Sequence, residues 1–321
     1  MRILVTGASG FVGSLLVPRL LSGGHQVRAL ARDPTRVRAE TEVVRGDALT
    51  GEGLSRALDE IEVAYYLIHS MERSSGERGP FEERERIAAE NFAEAAVQAG
   101  VRRIVYLGGL LPHATAGHPP AAAPPAKMHE RVPLSRHLAS RAKVERILLN
   151  AIGDSLALRA SIVIGARSRS FRLLVHLVER LPVLTLPAWH RFRTQPIDAR
   201  DIAEMLAASA TAPIGGRSLD VGGPDVLSYG EMIAHIAELM LVHRPTLGLG
   251  VSVTSVTARL AAAITQEDPE LVLGLMGSLQ GDLLPADDHA AELLNVNLHS
   301  FDAAVEHALS EWEESEPLAA R

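Results

Sequence analysis

Along the first 110 residues, short runs of β-branched and apolar residues alternate with stretches whose apolar positions recur about every three to four residues. The runs Ile3–Thr6, Gln26–Leu30, Glu42–Arg45, Val63–Ile68 and Arg103–Leu107 are predicted as strands. Phe11–Ser22, Glu52–Leu58 and Phe81–Ala99 are predicted as helices, with Gly23-Gly24 and Gly100 ending the first and the last. Strands alternating with helices point to βαβ units and a parallel sheet covered on both faces.

The pattern breaks at 112–133, where Pro112, Pro119, Pro120, Pro124, Pro125 and Pro133 stand among alanines. Proline at that density excludes a continuous helix or a central strand. The stretch reads either as a surface insertion or as a lid over a site. Beyond it, Ser135–Asn150, Phe171–Arg180 and Asp198–Ala210 read as helices, and Leu156–Ala160 and Ser218–Val221 as strands. Ser228 opens a helix with Glu231 three residues on, the pattern of a capping box. The remainder reads as mostly helical, ending with Phe301–Glu313.

The chain has 321 residues, enough for one large domain or two modest ones. It has no cysteine, which excludes disulfides, thiolate metal sites and a Cys nucleophile. The histidines lack metal-ligand spacing, so no metal is expected. A net charge of −7, without a basic stripe, argues against nucleic acid as a partner. No apolar run predicts a membrane span, and no export signal precedes the first strand, so a cytoplasmic protein is expected. Lys127 and Lys143 are the only lysines among 32 basic residues, which leaves two candidates for any lysine-dependent chemistry.

The first candidate chemistry lies at Thr6-Gly7-Ala8-Ser9-Gly10-Phe11-Val12-Gly13, between a predicted strand and a predicted helix. That context is what a dinucleotide-binding turn requires. Gly7 permits the tight turn, Gly10 a close approach of backbone to a pyrophosphate, and Gly13 close packing of helix on strand. Ser9, Phe11 and Val12 bring their N–H groups to the same turn, where the helix dipole favours an anion. At the end of the second strand, the acidic position that would select NAD falls on Ala31, and Arg32 follows. Arg32 can hold a 2′-phosphate by paired hydrogen bonds, which favours NADP over NAD. Asp33, before Pro34, reads as a helix N-cap. Asp47, with Ala48 beside it, reads either as an acceptor for an adenine amino group or as a turn residue.

These residues resemble the short-chain dehydrogenase/reductase superfamily in its extended and atypical branches. The similarity continues through Tyr65–Met71, Val105–Leu110, Leu134–Arg141, Arg193–Ile197 and Asp220–Asp225, so it spans almost the whole chain. It is strongest to an atypical subgroup of NAD(P)-binding oxidoreductases. The resemblance implies that Leu67, Ile68 and His69 pass beside the cofactor ribose and pyrophosphate, with Gly108 near it. It also implies a catalytic Tyr-x-x-x-Lys, which this chain lacks. His137-x-x-x-Arg141 stands in its place, and Gly108-Gly109 occupies the upstream Ser position.

One helical turn separates His137 from Arg141, so both share a face. Arg141 could hold the nicotinamide ribose and His137 exchange a proton with substrate. The nearby cation lowers the His137 pKa and makes it a better base than acid. The alternative is a polar face that only binds. Lys143 points away from that face. Ser161, Trp189, Arg193 and Gln195 are the candidate substrate contacts, together with Phe171 and Thr194; Trp189 and Phe171 read equally well as core.

The expected architecture is α/β, a doubly wound parallel-sheet Rossmann fold with a smaller, mostly helical C-terminal substrate region. Residues 1–165 would bind NAD(P), and 166–321 would form the substrate part, with about 193–221 returning to the core. The expected function is an NADP-dependent oxidoreductase of a small molecule, as a monomer or homodimer. The alternatives are an epimerase, dehydratase or lyase that uses the dinucleotide transiently, and a non-catalytic dinucleotide sensor or assembly factor.

Overall fold

The computed structural model describes residues 1–69, 80–112, 135–248, 281–287 and 289–315. Its centre is a seven-stranded sheet. The strands are β1 (Arg2–Thr6), β2 (Gln26–Ala31), β3 (Glu42–Arg45), β4 (Val63–Tyr66), β5 (Arg103–Gly109), β6 (Leu156–Ala160) and a late strand, Arg217–Val221. Their order is β3-β2-β1-β4-β5-β6 and then Arg217–Val221, and every pairing is parallel. The order reverses between β1 and β4, so a crevice opens there at the carboxyl ends of the strands, where such sheets bind ligands. This is the doubly wound α/β architecture expected.

Strand residues alternate between two buried faces. Ile3, Val5, Ala29, Val63, Tyr65, Val105 and Leu158 pack against α1 (Phe11–Ser22) and the helix Ala199–Ser209. Leu4, Leu30, Val44, Ala64, Tyr66, Ile104 and Tyr106 pack against α2 (Leu54–Leu58), α3 (Phe81–Gln98) and α4 (Arg136–Ala151). A strand buried on both faces reads as a continuous apolar run, as these do.

A third core belongs to the later part of the chain. It joins α5 (Arg169–Arg180), the helix Tyr229–Leu239 and the helix Phe301–Ser315 around Phe171, Trp189, Tyr229 and Trp312. Ser228 caps its helix in a full capping box with Glu231. Asp201, buried at the start of Ala199–Ser209, accepts from the His299 backbone N–H at 2.8 Å and pairs with its ring at 2.5 Å. Asp225 accepts from Phe301 N, so two carboxylates fasten the last helix to the molecule.

Three expectations change. The helix expected from Glu52 starts at Leu54, because Gly53 adopts a left-handed φ of 75° and Glu52 accepts from Asp47 N. The fourth strand ends at Tyr66, not Ile68. The C-terminal part is less purely helical than expected, since short strands pair there: Val163–Ile164 with Ile197–Asp198, Arg193–Thr194 with Leu227–Ser228, and Leu184–Leu186 with Thr246–Gly248. Elements of two or three residues carry no period that a sequence can display. Among the described residues no helix is long and apolar enough to cross a membrane. His113, His129 and the Pro/Ala stretch beyond Pro112 lie outside the described residues.

Candidate functional site

The crevice at the switch point has a volume of about 790 Å³. Its floor is the turn between β1 and α1. Gly7 has φ +68°, and a Cβ on it would stand 2.6 Å from the Leu67 carbonyl oxygen. A Cβ on Gly13 would stand 2.2 Å from Gly7 O, so α1 packs on its own leading turn at a distance that only glycine allows. Gly10 N donates to Gly7 O, and Gly10 O accepts from Ser14 N, which opens the helix. The N–H groups of the first turn have no partners within the helix, and no acidic side chain stands there to neutralise them. Thr6 Oγ1 donates to Tyr65 O and accepts from Leu67 N. That pair of bonds draws the Leu67–His69 segment alongside the glycine turn.

One end of the crevice is lined by Ala31, Arg32, Arg36, Gly46, Asp47, Ala48 and Leu49. Asp33 caps the short 3-10 turn Pro34–Arg36, accepting from Thr35 N at 3.1 Å and Thr35 Oγ1 at 2.6 Å. Those bonds lower its pKa and commit it to the turn, as its place before proline predicts. Arg32 and Arg36 are then the cationic groups of that wall. Asp47 accepts from Leu49 N at 2.9 Å, so its turn role is real, and it still lines the crevice. Asn91 on α3 donates to both Ala48 O and Leu49 O, which pins this loop from a distance in sequence that no local reading reaches.

The other end is built from α4 and the ends of β4 and β5. Ser135 caps α4 by accepting from Leu138 N. His137 and Arg141 share its crevice face, and His69, in the segment after β4, lines the crevice with them. The His69 and His137 rings lie 5.2 Å apart, centre to centre. Arg141 donates to Ile68 O and Leu107 O, and its guanidinium lies 4.9 Å from the centre of the Tyr106 ring. The Arg141 charge thus bridges two strand ends and is itself buried. Burial, and then the Arg141 charge, push His137 down to about 4. His69 is exposed to the open crevice, and desolvation within it, with the charges of Arg141, His137 and Arg169, also holds its pKa below the ordinary imidazole value. Both imidazoles are therefore neutral at pH 7. Among the described residues, His137 Nδ1 is buried without a hydrogen-bond partner.

No tyrosine of the sheet presents its hydroxyl here. Tyr106 OH donates to Arg141 O and Tyr65 OH to Leu206 O, and burial raises the pKa of both, as it does for Tyr66. The upstream Ser position is glycine for a packing reason. A Cβ on Gly108 would stand 2.9 Å from the Tyr106 ring and 3.4 Å from Glu145 Oε2. Glu145 in turn accepts from Arg159 and Ser218, a buried polar group that fixes α4 against β6 and the late strand.

Residues 7–153 match the model of a family described as NAD(P)H-binding. The glycine turn, the loop at Asp47 and the start of α4 all fall inside that span. That span, a little under half of the chain, is similar to NAD(P)H-binding domains. Among curated relatives, 3 beta-hydroxysteroid dehydrogenase/Delta 5→4-isomerase of Mycobacterium tuberculosis is 37% identical over 113 residues. That match covers 33% of this chain and 30% of the relative. UDP-glucose 4-epimerase of Mycolicibacterium smegmatis is 38% identical over 120 residues, 33% of this chain and 38% of the relative. The chain thus matches about a third of the length of these relatives. A solved structure of UDP-glucuronic acid 4-epimerase from Bacillus cereus in complex with NAD is similar at TM-score 0.70. It is 17% identical, with 98% of this chain and 97% of that one covered, a likeness of fold. The resemblance to extended short-chain dehydrogenase/reductases is borne out in sequence over about a third of the chain and in fold over 98% of it.

The crevice suits a dinucleotide on its own geometry. The glycines leave a cradle that any Cβ would fill, and Gly7, Ser9, Gly10, Phe11, Val12, Gly13, Arg32, Asp47, Ala48, Leu67, Ile68, His69 and Gly108 all line one crevice. His137, Arg141 and Ser161 line it too. Trp189, Arg193 and Gln195 do not. Trp189 is 5% exposed and packs edge-on to Tyr229 in the C-terminal core, so its core reading holds. Arg193 pairs with Asp282, and Gln195 donates to Gly223 O while its own carbonyl accepts from Ser161 Oγ. Phe171 is wholly buried, and Lys143 is exposed. Sequence reasoning missed Arg36, Arg84, Arg167, Ser168, Arg169 and Ser170 on the crevice wall. The run Arg167–Ser170, polar between a strand and a helix, was the signal available.

Proposed function

We propose that the chain is an NADP-dependent oxidoreductase acting on a small organic substrate, with His137 and Arg141 at the reacting centre. The observation that carries it is the continuity of one crevice from Arg32 and Arg36, past the glycine turn, to His137 and Arg141. A nicotinamide cofactor held there supplies or accepts a hydride. Gly7, Gly10 and Gly13 would admit the pyrophosphate, and Arg32 with Arg36 a 2′-phosphate. NAD would fit the same turn with less gained at Arg32.

The reaction asks His137 to exchange a proton with the substrate oxygen. A neutral imidazole takes that proton as a base; Arg141 supplies fixed positive charge beside the developing anion. His69, across from His137, is placed to accept or relay it. Ser161 lines the same crevice and is the substrate contact retained from the sequence reading. The assignment takes His137-x-x-x-Arg141 to stand where the superfamily has Tyr-x-x-x-Lys. The division into a cofactor part, residues 1–165, and a substrate part, 166–321, with 193–221 returning, follows the same reading. So does a cytoplasmic monomer or homodimer without nucleic-acid partners.

A second reading is an epimerase or lyase that uses the dinucleotide transiently. One observation favours it: two neutral imidazoles face each other, and both are better at taking protons than at giving them. Titration of NADPH and NADH against intrinsic fluorescence, followed by a substrate screen with wild type and His137→Ala, tests both. Micromolar NADPH binding with turnover lost in the variant supports the proposal. Conversion without net NADPH consumption transfers support to the second reading. Full activity in His137→Ala overturns the assignment of the reacting centre.

A further inference from the structure

We propose that Arg167 is a clamp on the dinucleotide pyrophosphate, reaching it from the loop before α5; the proposal rests on the crevice being the NAD(P)H site. The glycine turn offers only N–H groups and a helix end, worth about half a charge. A pyrophosphate brings two negative charges. α1 carries no basic residue near its start; its Arg19 lies in the last turn.

The missing cation comes from elsewhere in the chain. Arg167 Nη1 donates to Ser14 Oγ at 2.9 Å. Ser14 stands in the opening turns of α1, and its hydroxyl already donates to Phe11 O at 2.8 Å. The guanidinium has five N–H donors in a fixed fork, and the bond to Ser14 engages one of its nitrogens. Arg167 is exposed and lines the crevice.

Packing explains how it gets there. A Cβ on Gly165 would stand 2.7 Å from Phe11 Cζ, so the loop after Val163–Ile164 lies directly on the start of α1. Arg167 follows two residues later. Other crevice cations have different stations. Arg32 and Arg36 lie on the wall with Asp47, Arg84 is buried on α3, Arg141 is bound to Ile68 O and Leu107 O, and Arg169 acts electrostatically on His69. Arg167 is the guanidinium stationed at the glycine turn. A charge-assisted, forked contact to phosphate is the use for which arginine is best shaped.

The test compares three probes: NADPH, NADH and adenosine 2′-phosphate, which lacks the pyrophosphate. Each is titrated into wild type, Arg167→Gln, Arg167→Lys and Ser14→Ala. The clamp predicts that Arg167→Gln weakens both dinucleotides about tenfold or more and adenosine 2′-phosphate less than about twofold. Arg167→Lys should recover part of the loss, and Ser14→Ala should change little. Arg167 is exposed, so the melting temperature of the ligand-free variant should be unchanged. If wild type binds the dinucleotides and Arg167→Gln binds them equally well, the clamp alone is overturned. An equal loss for adenosine 2′-phosphate also overturns it, by moving Arg167 to the adenosine end. If wild type binds neither dinucleotide, the crevice reading falls and takes the clamp with it.

Discussion

At the glycine turn the crevice presents backbone: Gly7, Gly10 and Gly13 have no side chain, and their role is to leave room. At the α4 end it presents side chains, His69, His137 and Arg141, whose chemistry depends on what surrounds them. The first end works through fixed peptide dipoles and has nothing to titrate. The second works through desolvation, which holds His137 near 4 and so keeps it neutral. A glycine turn tolerates no added atom, whereas the histidine end tolerates substitution but loses function. The two ends should therefore fail in different ways.

The largest effect is expected at the backbone end. Gly13→Val places carbon atoms within 2.2 Å of Gly7 O, so α1 must move away from its turn. NADPH affinity should fall by more than about a hundredfold, with a lower melting temperature, since a displaced helix end loses both its dipole alignment and its packing. Calorimetric titration and a thermal melt check this. Retained micromolar binding would show that the turn is not the phosphate site. Next in size is His137→Ala. Turnover should drop by about a hundredfold or more, while the NADPH dissociation constant stays within about threefold, the usual loss for a removed general base. Equal losses in binding and turnover would place His137 in cofactor binding alone and erase the contrast between the ends.

The same contrast explains what the sequence could display. Gly7, Gly10 and Gly13 announce themselves because the constraint is local: a strand, a turn with a left-handed residue, and a helix within a dozen residues. Asp33 before Pro34 is legible for the same reason. The His137–Arg141 spacing gives their common face, and the charge gives the direction of the His137 shift. The burial that dominates that shift comes from β4, β5 and α4 meeting in space, and no periodicity encodes it. His69 faces His137 across 68 positions of sequence, and Asn91 reaches Ala48 across 43. Gly165 shows the limit well: its reason is Phe11, far back in the chain. Trp189, read as substrate contact or core, was resolved only by the helices that enclose it.

Desolvation at the histidine end should also be readable as stability. The unfolded imidazole of His137 titrates near 6.5 and the folded one near 4. Between those values the unfolded chain binds more protons, so folding stability rises with pH across that window and is flat above it. Acidification from pH 7.5 to pH 5 should cost wild type about 2 kcal/mol through this one group. In His137→Asn that share of the pH dependence should vanish, while the slope from other groups remains. Urea unfolding at the two pH values gives the difference. Identical pH dependence in the two proteins would mean that His137 is hydrated, and the base reading would lose its physical ground. The kcat/KM profile of wild type should agree, flat near neutrality and falling only as pH drops toward 4.

The smallest effect is expected where the crevice is built from exposed side chains, a third kind of wall. Arg32 and Arg36 are exposed, so their contacts compete with water and salt. Arg32→Ala should raise the NADPH dissociation constant about tenfold, near 1.4 kcal/mol, and leave NADH within about twofold. The NADPH loss should shrink as ionic strength rises from 0.05 to about 0.5 M, because screening acts on an exposed pair and hardly on backbone at the glycine turn. If Arg32→Ala weakens NADH as much as NADPH, Arg32 contacts something common to both cofactors. The preference for NADP would then have to come from Arg36, whose own alanine variant decides that in the same titration.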